Sequence, residues 1–229
     1  MRPNIYSTWS IISLLLRSVS PSLRQNIFST LKSFNGYGCW CVFHHGLGQG
    51  QPQDQIDQLC QTLHQGYKCI RLDAEEENDT SCVPWDIAYV GPEDLLRPEA
   101  HDSECVKSNS RDHCAARTCT VESVFLYELL QFFYGGFYFR EELKHNSGFD
   151  YDVTCTENGR VSRNIGIEQS DSEASEENLH EACCGHYPIR TPYKFMVLGQ
   201  HRYCCGNLTS NPIIRECCGP DAGYESEVC

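Results

Sequence analysis

Apolar positions between Asp54 and Cys69 recur at helical spacing. Ile56, Cys60, Leu63 and Tyr67 fall on one stripe, with His64 one turn beyond Cys60, so the pattern predicts an amphipathic helix. A second and clearer helix is predicted from about Cys114 to Phe133, where Cys119, Glu122, Leu126, Leu129, Leu130 and Phe133 return at three- and four-residue steps. Gly135-Gly136 stops it. A shorter helix is expected over 22–34, with Leu23, Ile27, Phe28, Leu31 and Phe34 on one side. Between these lie a glycine-rich loop from Asn35 to Pro52 and an acidic, proline-bearing stretch from Asp73 to Asp112, read as loops and short strands. Residues 163–182, crowded with carboxylates and serines, read as a solvated linker.

Beyond the linker the texture changes. Cys183-Cys184-Gly185, Cys204-Cys205-Gly206 and Cys217-Cys218-Gly219 repeat one unit at unequal spacings. The chain holds 16 cysteines in 229 residues, an even total. So many thiols suit an oxidising compartment, where they pair, and the chain is expected to be secreted. Zinc is the competing explanation for the Cys-Cys doublets, but no C-x2-C pair with a matching second half is present. Nine cysteines precede the linker and seven follow it, so complete pairing requires a bridge from the tail (183–229) to the core (22–162).

Net charge is -13, and no basic stripe runs along the chain, which argues against nucleic acid. The same charge argues against electrostatic attraction to anionic membranes. Residues 1–20 carry Arg2, a short apolar run from Trp9 to Leu16, and Ser18-Val19-Ser20, the layout of a signal peptide. Asn78-Asp79-Thr80 and Asn207-Leu208-Thr209 are glycosylation sequons, a number close to chance for this length.

Chemistry is expected where the two long helices meet. Glu122 lies inside an apolar stripe, where a carboxylate is costly unless compensated. His64 on the facing helix is the natural partner, and such a pair suits a general base acting on water. An ordinary buried His–Glu hydrogen bond without catalysis is the alternative. Adjacent His44 and His45 read as polar loop residues, Glu75-Glu76-Glu77 as a solvated surface, and Phe132 to Phe139 as helix-end packing or a lipid-facing patch.

The order Tyr37-Gly38-Cys39-Trp40-Cys41, glycine loop, Pro52-Gln53-Asp54-Gln55-Ile56-Asp57, then Cys60 and His64, resembles the secreted phospholipase A2 family. Cys119-Thr120-Val121-Glu122 resembles that family's second helix motif. Cys60 to Cys69, Cys82-Val83-Pro84-Trp85 and the dicysteine tail are similar to a divergent marine-invertebrate branch. The resemblance implies a mainly α, disulfide-rich fold. Its core would be two antiparallel disulfide-linked helices plus an N-terminal helix, with a small β-element in the middle and a cysteine-rich irregular or β tail. It implies calcium-dependent hydrolysis of the sn-2 ester of glycerophospholipids, with His64 as base and Glu122 orienting it. Calcium would be held by the backbone carbonyls of Trp40, Val42 and His44 and by the residue after the histidine. Cys39, Cys41, Cys60, Cys69, Cys114, Cys119 and Cys155 would be bridged.

Three departures bear on activity. Gln65 follows the histidine where the family has aspartate, which removes a charge from a hard-cation site. The loop from Cys41 to Pro52 is longer, with Val42 and His44 at glycine positions. The helix also has one residue more before His64. A gapped match keeps His64 as the base and is preferred. Counting without the gap puts Leu63 on the histidine position and His64 on the aspartate position. The resulting expectation is a phospholipase A2-fold protein with weak or lost activity. The alternatives are a silent binder of lipid or of a protein receptor, and an extracellular-matrix or mineral-associated protein.

Overall fold

The computed structural model describes residues 36–42, 48–136 and 139–156. It also describes 183–185, 187–188 and 190–192, and the backbone alone of 196–197, 200–201, 203–205 and 208–210. Among the expected features, the 1–20 signal segment, the 22–34 helix, the 163–182 linker and His44 lie outside the described residues.

Asp54 starts helix α1 (Gln55–Glu76), its side chain accepting from the Asp57 amide at 2.9 Å. The helix runs past Cys69 because Ile70, Asp73 and Ala74 continue its buried face. Two 3-10 turns follow, Pro84–Asp86 and Pro98–Ala100, each opened by a proline whose missing N–H costs nothing there. Helix α2 (His101–Ser108) then leads to α3 (His113–Tyr134), which Asp112 caps through the Ala115 amide and which ends at Gly135. A one-turn helix α4 (Tyr151–Thr154) precedes Cys155.

The short strands and central β-element expected in this stretch are absent among the described residues. Cys105, bridged to Cys119, and His101, bonded to the Leu95 carbonyl, give α2 an inward face on α3. Among the described residues the first strand begins at Cys183. Strand β1 (Cys183–Cys184) pairs antiparallel with β2 (Thr191–Pro192). Two further two-stranded hairpins follow, β3 (Met196–Val197) with β4 (Gln200–His201) and β5 (Tyr203–Cys205) with β6 (Leu208–Ser210).

The core lies between α1 and α3, where Leu59, Leu63 and Ile70 share one cluster with Phe125, Leu126, Leu129 and Leu130. Asp73 is opposed by Arg117 and Tyr67 by Glu122, so the helices run antiparallel. They approach closely at Gly66, where an added Cβ would sit 2.5 Å from Val121 Cγ1. The disulfides do not join the two helices to each other among the described residues, unlike the expected link. Cys60 pairs with Cys41 in the preceding loop, Cys69 with Cys183 in the tail, Cys114 with Cys82, and Cys119 with Cys105. Cys39 pairs with Cys155. Each helix is stapled outward instead.

The Cys69–Cys183 bridge carries the tail onto α1, and a buried charge cluster holds it. The Arg190 guanidinium reaches Asp73 Oδ1 at 2.7 Å and also Glu76, while its backbone amide donates to Asp73 Oδ2 at 3.0 Å. Arg117 donates to the Arg190 carbonyl. Of the carboxylates Glu75, Glu76 and Glu77, read from the sequence as a solvated surface, two are thus engaged by the tail, since Tyr187 also donates to Glu77.

Candidate functional site

The loop that opens the described chain is organised by one buried acid. Asp57 accepts from the backbone amides of Cys39 at 2.8 Å, Trp40 at 2.7 Å and Gln53 at 2.8 Å. Burial pushes its carboxyl above the ordinary aspartate range, while the three amides pull it down. Gly38 has φ +58, and a Cβ there would lie 2.3 Å from Asp57 Cγ, so the turn requires glycine. The His145 ring bonds the Gly38 carbonyl at 2.7 Å, and the Trp40 indole donates to the Gly50 carbonyl at 3.0 Å. With two bridges as well, the loop is held from several sides.

These constraints aim the Trp40 carbonyl at α1, where His64 meets it. His64 Nε2 lies 2.8 Å from that oxygen, and the Val42 backbone also hydrogen-bonds the ring. A carbonyl can only accept, so Nε2 carries the proton. Burial lowers the His64 pKa to about 4, helped by the nearby Lys68 charge and opposed by both backbone bonds. The ring is neutral at pH 7. Gln65, the next residue, is partly buried.

Glu122 is fully buried and receives Tyr67 Oη at 2.6 Å and Tyr89 Oη. Burial raises its pKa to about 7 against the pull of the two phenols. Burial and the Glu122 charge raise both tyrosines well above their ordinary value. Both members of the expected His64–Glu122 pair are engaged elsewhere: the carboxylate receives two phenols, and the imidazole bonds the loop. Leu63 and His64 lie about 40° and about 60° to either side of Tyr67 on the helix wheel, so the helix alone does not separate them, and the Trp40 carbonyl held by the loop takes the ring. Leu63 is 1% exposed.

No protein-family model matches the chain, and no solved structure does. Among curated proteins, Acidic phospholipase A2 PL-I from Walterinnesia aegyptia is 28% identical over 89 residues, covering 39% of this chain and 53% of that protein. The chain resembles a phospholipase A2. It spans about half the length of the curated relative it matches. The mainly helical, disulfide-rich fold agrees with that likeness.

Two residues central to this site escaped the sequence reading. Tyr89 lies in a stretch without periodicity, and nothing in its neighbours points to Glu122. Asp57 did carry a signal, because it is an acid next to the apolar positions of α1, the same kind of conflict that singled out Glu122. Phe133 and Phe139 pack together with ring centroids 5.9 Å apart, and Phe139 also packs on Tyr37. Tyr134 is exposed, and Phe137 and Tyr138 lie outside the described residues. Among the described residues, no helix is long and apolar enough to cross a membrane.

Proposed function

We propose that this chain is a secreted phospholipase A2-like protein that no longer hydrolyses lipid and acts as a disulfide-stapled binding module for an extracellular protein. One observation carries the reading: the His64 ring donates to the Trp40 carbonyl, an oxygen that the family resemblance assigns to calcium. A ring N–H and a cation compete for that oxygen. The ring is neutral, so it brings none of the negative charge on which a hard-cation site depends. Gln65 brings none either. The residues present do not fit calcium, and no hydrolytic step is derived through it. Leu63, which the gap-free count puts on the histidine position, has no lone pair with which to take a proton from water.

A protein partner is favoured over a lipid surface by charge and by aromatic packing. A net charge of -13 opposes docking on anionic lipid. Phe132, Phe133 and Phe139 pack against the core cluster instead of forming an outward apolar face.

The test combines calorimetric calcium titration with sn-2 ester hydrolysis on phosphatidylcholine and phosphatidylglycerol vesicles. Oxidised protein is expected to bind no calcium, to release no fatty acid and to stay in the supernatant when the vesicles are sedimented. The double variant Leu63→His/His64→Asp is expected to gain calcium binding, whereas Gln65→Asp gains none. Calcium-dependent release by the unaltered protein, abolished by His64→Ala, would overturn the proposal.

A further inference from the structure

The first sequon gains meaning from its place at the end of α1. Glu77 is the C-cap, and Asn78 follows with φ 58, the left-handed conformation that asparagine tolerates better than most residues. The Asn78 amide donates to the Glu75 carbonyl at 3.1 Å and the Asp79 amide to the Ala74 carbonyl at 2.8 Å. These two bonds form a Schellman cap, made entirely by backbone. The cap accounts for asparagine at this position, but it leaves the Asn78 carboxamide unused and does not call for threonine two residues later.

The side chains around it are arranged to keep that carboxamide open. Asn78 and Thr80 are both exposed, and neither side chain enters a hydrogen bond among the described residues. The middle residue is occupied elsewhere: Asp79 Oδ1 accepts from the Ser81 amide at 2.9 Å and from Ser81 Oγ at 2.5 Å. Its carboxylate is thereby turned to the residue after the sequon. The left-handed turn sets Asn78 at the tip of the helix end, so a bulky substituent on Nδ2 extends into solvent.

We propose that Asn78 is an N-glycosylation site and carries an N-linked oligosaccharide, an inference that rests on the extracellular reading above and not on the fate of catalysis. The donor class is an oligosaccharide on a lipid pyrophosphate. Asn78 Nδ2 loses a proton and bonds to the anomeric carbon. The bond from that carbon to the pyrophosphate oxygen breaks, and the lipid pyrophosphate leaves with its electron pair. The glycan is added to the nascent chain, so the fold must accommodate it; the exposed cap does. Once in place it stands beside the Tyr187–Glu77 contact of the docked tail.

The experiment expresses the full chain in cultured animal cells, once with its own N-terminus and once behind a heterologous secretory leader. Total cellular and secreted pools are digested with peptide-N-glycosidase in heavy-oxygen water and mapped by mass spectrometry. The expected result is heavy-oxygen aspartate at position 78 in the leader-carrying chain, lost in Asn78→Gln and Thr80→Ala and retained in Thr80→Ser. An unmodified Asn78 peptide in that pool, or a glycan at Asn207 alone, overturns the proposal. Labelling only behind the added leader upholds Asn78 as the site and shows instead that residues 1–20 do not direct the chain to the secretory pathway.

Discussion

His64 and Glu122 should make opposite and nearly cancelling contributions to the pH dependence of stability. The His64 pKa falls from 6.5 to about 4, an interval of about 2.5 pH units, or on the order of 3 kcal/mol at about 1.4 kcal/mol per unit. Its folded value is depressed, so the unfolded chain binds more protons within that interval. Stability from this group is complete above pH 6.5 and is lost as pH falls toward 4. The Glu122 pKa rises from 4.5 to about 7, again on the order of 3 kcal/mol. Here the folded chain holds the extra proton, so stability is complete below pH 4.5 and is lost as pH rises to 7. Over the shared range the two slopes oppose each other. Replacing His64 with Gln, which can still donate to the Trp40 carbonyl, should expose the Glu122 slope, with stability falling by about 3 kcal/mol from pH 4.5 to 7. Replacing Glu122 with Gln should expose the His64 slope, with stability rising by about the same amount from pH 4 to 6.5. Urea midpoints of the oxidised proteins, followed by circular dichroism, would move by roughly 1–3 M over those ranges. The surface carboxylates are common to all three proteins and drop out of the comparison. If both variants keep the profile of the unaltered chain, the two groups are not held in their neutral forms by burial, and the reasoning fails.

Other perturbations test the scaffold. Asp57→Ala leaves three amides, two of them buried, without an acceptor and should cost on the order of 3 kcal/mol in urea denaturation, whereas Leu59→Met, at a purely apolar position, should cost little. Gly66→Ala drives a methyl group into Val121 and should cost about 1–3 kcal/mol, relieved in the double variant with Val121→Ala. Arg190→Ala uncovers Asp73 and should destabilise by about 3–5 kcal/mol, with Arg190→Lys recovering part of the loss. Removing the Cys69–Cys183 bridge, which closes 114 residues, by paired alanines should cost up to about 5 kcal/mol, read as a lower urea midpoint.

The two long helices were legible because each carries more than four turns of apolar positions, and their ends follow from Asp54, Asp112 and Gly135. The bridge from tail to core was legible from parity alone. What the chain did not reveal was everything set by a single residue's angle or by distance along the sequence. One step along α1 separates Leu63 from His64, and periodicity that allots both to the buried side cannot say that the His64 ring turns to the loop. The acid in an apolar stripe correctly signalled a buried polar cluster, but the compensating groups came from Tyr67 on the same helix as His64 and from Tyr89 in a stretch without pattern. An imidazole and a phenol satisfy a buried carboxyl by the same hydrogen-bonding logic, so the sequence signal for catalysis and the one for a silent polar core are identical at Glu122. They diverge only at the Trp40 carbonyl. There the loop, fixed by Asp57 and by the Cys39–Cys155 and Cys41–Cys60 bridges, presents its oxygen to a neutral ring. Under the proposed function, the loop framework that the family resemblance assigns to a metal is kept, and one side chain within it redirects what that framework can do.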